Sequence, residues 1–193
     1  MNHIWGLAMA AACSRNGRRL GRRSKGDRRF VATRVPAQTI TSIKAIAEDT
    51  NTPLGDVVGT LLLLGVRHSA ELDAAMDELM PLTRTTGDGQ VQFNPSNTKD
   101  SIVNLIGRAP TPVVERIEEL RDGISPDGKI PMLLVFSALL AIGLRGVENT
   151  TFDSALSDMY ALALDPSLAT TMLGKQVATT RNREEQGVLS LAI

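Results

Sequence analysis

Apolar positions change period early in the chain. From Phe30 to Val35 they alternate, with Val31, Thr33 and Val35 on one face and Phe30, Ala32 and Arg34 on the other. Period two predicts a short strand. Pro36 cannot continue a central ladder but suits a helix start. The spacing then shifts to Ile40, Ile43 and Ile46/Ala47, the stripe of an amphipathic helix that ends near Thr50–Asn51. Thr52 is a candidate N-cap with Pro53 in the first turn of a second helix. That helix buries Leu54, Val57, Val58, Leu61 and Leu62 and runs on past Gly65. The run Leu61–Leu64 reads as core.

The same pattern returns further along. "VPAQTITSIKAIAED" (Val35–Asp49) lies over "APTPVVERIEELRDG" (Ala109–Gly123), matching Pro36 with Pro110, Ile40 with Val114, Ile43 with Ile117 and Ile46 with Leu120. "PLGDVVGTLLLLGVR" (Pro53–Arg67) lies over "PMLLVFSALLAIGLR" (Pro131–Arg145), matching Gly65 with Gly143 and Arg67 with Arg145. Neither block needs a gap. The second copy is four residues longer between the blocks, through "ISPDGKI". Its strand sets Val103, Leu105, Gly107 and Ala109 against Asn104, Ile106 and Arg108. Gly107 reads there as a weakening of the strand, the mark of a degenerate copy.

A strand with two helices cannot close a core alone, because its edges and apolar stripes stay open. Two copies can. The pattern therefore predicts a mainly α fold, with an antiparallel two-stranded ribbon on four helices and one ribbon face uncovered. An intrachain pseudo-dimer and a dimer of two chains both satisfy it. The expected divisions are a basic arm (1–29), a first unit (30–68), a helical extension and linker (69–100), a second unit (101–147) and a helical C-terminal tail (148–193). "TTGDGQVQF" predicts a hairpin turn within the linker.

The formal charge is zero, from 21 basic and 21 acidic residues. Residues 1–36 nevertheless hold nine Lys or Arg against Asp27 alone, a net +8, so the remainder carries −8. A basic arm before an acidic body is a layout for binding phosphate, and also that of a solvated extension. The apolar N-terminal stretch is followed by its arginines, the reverse of a secretory signal. No run reaches membrane-spanning length, and a cytoplasmic chain is the expectation. A lone cysteine allows no internal disulfide. His3 and His68 lack further ligands nearby, and no acid–base pair, phosphate loop or nucleophile set stands out. No enzyme, metal or cofactor is expected.

Strand, proline-led helix, turn and apolar second helix together resemble the ribbon–helix–helix DNA-binding proteins, of the Arc and methionine repressor type. The likeness covers less than half of the chain. It implies a sequence-specific binder of double-stranded DNA, a transcriptional repressor of plasmid or phage kind. The implied base contacts are Phe30, Ala32, Arg34, Asn104, Ile106 and Arg108. The implied phosphate contacts are Thr52, Leu54 and Gly55 at the second helix, with Lys129 at the longer turn of the second copy. The basic arm would add Arg22, Arg23, Lys25, Arg28 and Arg29. Phe30 and Ile106 depart from the polar residues usual at such positions. Arg34 and Arg108 also read as solvated strand residues, and Arg67 and Arg145 as complements to helix C-termini. The alternative role is that of an antitoxin-like or plasmid conjugation and maintenance accessory protein. Its tail, residues 148–193, would bind a protein partner or self-associate.

Overall fold

The computed structural model describes residues 26–94, 102–147 and 152–174. Two long strands, β1 (Arg28–Pro36) and β4 (Ile102–Pro110), pair antiparallel. Each runs into a pair of helices: α1 (Ala37–Asp49) and α2 (Leu54–Arg67) after β1, α4 (Thr111–Ile124) and α5 (Met132–Val147) after β4. Both strands end on the expected proline. Pro36 and Pro110 hold φ near −54° and −51° and serve as the N-caps of α1 and α4, because the ring fixes φ where a helix begins and removes a donor the helix cannot use.

Along β1 the core face is Val31, Thr33 and Val35, and along β4 it is Leu105, Gly107 and Ala109. The register places Ala32 opposite Ile106, which are matched positions of the two sequence blocks. Beneath the ribbon α2 crosses α5. In α2 every residue from Asp56 to Val66 is buried, and in α5 every residue from Leu134 to Leu140. A helix apolar all round belongs inside a core, and burying each Leu there contributes about 1.5–3 kcal/mol.

The crossing explains the matched glycines. A Cβ on Gly65 would overlap the Leu139 carbonyl, and a Cβ on Gly143 would overlap the Leu61 carbonyl. Leu61 and Leu139 are themselves matched, so the contact is reciprocal, as in an isologous interface. Gly107 has a comparable role. A Cβ there would meet Val58 Cγ1 at 2.5 Å, so the glycine lets α2 lie against the ribbon. It marks close packing, not the degenerate strand expected from sequence.

The segments around these units are built into the same core. Helix α3 (Leu72–Leu79) buries Leu72, Ala75, Met76 and Leu79 and packs on α5. Helix α6 (Phe152–Leu164) buries Phe152, Ala155, Met159, Leu162 and Ala163 and packs on α2 and β4. The expected linker contains the hairpin of β2 (Thr83–Thr85) and β3 (Val91–Phe93), with Phe93 buried. After α6 the chain passes through a 3-10 turn at Pro166–Leu168 into a short helix, α7 (Ala169–Met172). Among the described residues no helix is long and apolar enough to cross a membrane.

Candidate nucleic-acid interface

The outer ribbon face is built by alternation. Residues between the buried positions of β1 and β4 point away from the helices, and all six predicted contacts, Phe30, Ala32, Arg34, Asn104, Ile106 and Arg108, are exposed there. Register sets Phe30 opposite Arg108, Ala32 opposite Ile106, and Arg34 opposite Asn104. An apolar centre thus lies between two arginines at diagonal corners. Phe30 and Ile106 are 64% and 56% exposed, a large apolar area for an open strand face. Among the described residues neither Arg34 nor Arg108 has an acidic partner.

The backbone beneath Arg34 is pinned. Ser137 Oγ, on α5, donates to the Arg34 carbonyl and lies 2.9 Å from Thr33 Oγ1, which itself donates to the Leu133 carbonyl at 2.6 Å. At the matched place on the other strand Gly59 approaches the Arg108 carbonyl so closely that a Cβ would overlap it. Sequence reading gave Ser137 no role. Its one trace there is a hydroxyl among the apolar residues of α5, matched by Gly59 in α2.

The predicted phosphate contacts divide. Arg22, Arg23 and Lys25 lie outside the described residues. Arg28 is corrected: its side chain is 4% exposed, and Nη1 donates to Asp56 Oδ1 at 2.6 Å. The other Asp56 oxygen accepts from Tyr160 Oη at 2.6 Å, and the Arg28 guanidinium lies 4.9 Å from the centre of the Tyr160 ring. A charge so placed joins β1, α2 and α6 and is withdrawn from solvent. Arg29 is exposed but forked onto Glu118, at 3.1 and 2.8 Å. That bond, ahead of its other neighbours, raises its pKa above the ordinary arginine value.

Thr52 is not a helix cap. Its hydroxyl donates to the Thr50 carbonyl and its N–H to the Ala47 carbonyl, within a turn that Asn51 closes at φ 50°. Pro53 is the N-cap of α2, and Leu54 and Gly55 in the first turn are half-buried. Lys129 is exposed and paired with Asp127 at 2.9 Å. The hydrogen bond from Lys129, then that from Ser125, holds the Asp127 carboxyl at a pKa of about 2. Arg67 and Arg145 lie in the last turns of α2 and α5, where a positive charge complements the C-terminal end of a helix. Arg67 bridges to Asp158 on α6 and to the Met172 carbonyl, and Arg145 pairs with Glu71 and Glu78.

Chemically the face offers guanidinium and amide hydrogen-bonding groups beside exposed apolar surface. Among the described residues no group of three or more potential ligands could hold a metal. No family model and no curated protein matches the sequence, and no solved structure matches the fold.

Proposed function

We propose that this chain binds double-stranded DNA in a sequence-specific manner as a transcriptional regulator of repressor type, with the outer face of β1 and β4 in the major groove. In this reading the chain is two ribbon–helix–helix units fused into one pseudo-dimer. The observation that carries it is the pair of arginines, exposed and without an acidic partner among the described residues, at diagonal corners of the outer ribbon face. A two-stranded ribbon fits the major groove, and arginine pairs with guanine O6 and N7 through two hydrogen bonds. The reciprocal contacts at Ala32/Ile106 and Gly65/Gly143 support the fused-dimer reading. The test is fluorescence anisotropy of the full chain on its target duplex with competitor DNA present. Arg34→Ala weakens binding by about 1–3 kcal/mol at one base pair, whereas equal binding by both proteins refutes the reading.

One observation favours a second reading. Exposed Phe30, Ile106 and Ala32 make the centre of the face apolar, which suits a protein partner of the antitoxin or conjugation-accessory kind. Phe30→Ser would then abolish partner binding while Arg34→Ala leaves it intact.

A further inference from the structure

We infer that the chain reads an asymmetric, non-palindromic DNA core, in one orientation, with two guanines on opposite strands about four base pairs apart; this rests on the DNA-binding reading above. The first ground is spacing. Arg34 faces Asn104, and Arg108 lies four residues further along β4. At about 3.3 Å per residue the two arginines are separated by about 13 Å along the ribbon. A base-pair rise of about 3.4 Å makes that close to four base pairs. The two side chains come from antiparallel strands at matched sequence positions, so they approach the groove from opposite directions and reach guanines on opposite strands.

The second ground is that their neighbours differ. Arg34 has Asn104 beside it, and asparagine pairs with adenine N6 and N7. Arg108 has Phe30 beside it, which offers no hydrogen bond and suits a thymine methyl. Between them Ala32 and Ile106 also suit thymine methyls. The core is therefore a guanine with a neighbouring adenine at one end, an A·T-rich centre, and a guanine with a neighbouring thymine at the other. Two identical chains would read the same set of bases twice. One chain with two different strands does not.

The flanks differ as well. Arg28, Asp56 and Tyr160 fasten α6 beside the start of α2. The positions matched to Arg28 and Asp56 are Ile102 and Leu134, which cannot form such a cluster on the other side. The ribbon is thus bordered differently at its two ends, and only one orientation presents each border to its own stretch of backbone.

The test is selection of bound duplexes from a pool with a randomised core, using the full chain and three variants at exposed positions. Wild type enriches the asymmetric core. Arg34→Ala loses preference for the guanine next to adenine, and Arg108→Ala for the other guanine, each by about five- to 150-fold. Asn104→Ala loses the adenine alone. A palindromic core, or variants that each degrade both guanines equally, overturns the inference and leaves DNA binding standing. Enrichment of no core by wild type overturns both.

Discussion

Arg28 and Arg29 are adjacent in sequence and have different fates. Both sit in a run that charge alone marks as solvated, but only Arg29 is. Arg28 is taken into the core by Asp56 and Tyr160, whose distance along the chain hides them from any local reading. Removing one partner of a buried ion pair strands the other, so Arg28→Met costs about 3–5 kcal/mol. Denaturant unfolding is expected to show that loss, with Arg29→Met changing stability by at most about 1 kcal/mol. Asp127 provides a pH-dependent contrast. Its carboxyl drops from 3.8 to about 2 in the folded protein, so its contribution to stability is present above the unfolded value and fades as pH falls through the folded one. Carboxyl NMR titration is expected to find that midpoint near 2 and to see it rise in Lys129→Ala.

Alternation and helical period revealed much of the fold at the scale of elements. The two faces of both strands, the prolines that turn strand into helix and the buried run Leu61–Leu64 lie where the pattern puts them. Local pattern could not show what each glycine meets across the core. Gly107 reads as a weakness until Val58 is seen packed beneath it, and Thr52 reads as a cap until its hydroxyl is found turned back to Thr50. The outward placement of Phe30, Ala32, Arg34, Asn104, Ile106 and Arg108 was legible because side-chain direction in a strand follows from parity alone. The fates of Arg28 and Lys129 were not, because they depend on partners that only folding or a turn brings close. The matched crossing gives a symmetrical prediction. Gly65→Ala and Gly143→Ala each force a helix backbone away from its neighbour, at about 1–3 kcal/mol or more. Thermal melts are expected to shift by similar amounts for the two, and a shift in only one would break the reciprocity.

Charge is divided along the whole molecule, with a basic N-terminal stretch ahead of an acidic remainder. Residues 1–25 carry six Lys or Arg, while the Asp27 N–H donates to the Ala163 carbonyl and ties the following residues to the core. Deleting 1–25 is therefore expected to leave the ribbon folded and to weaken binding to all DNA sequences together. The slope of log K against log salt falls by up to about five, at about 0.9 per phosphate neutralised. Salt-dependent anisotropy would register an unchanged slope if that stretch makes no phosphate contact. The most direct test of the central claim is an amide NMR titration of the labelled full chain with its selected duplex. The account predicts that the largest shifts fall on Phe30–Arg34 and Asn104–Arg108. Shifts gathered on α3 or α6 with the ribbon unmoved, or no shifts at all, would contradict it.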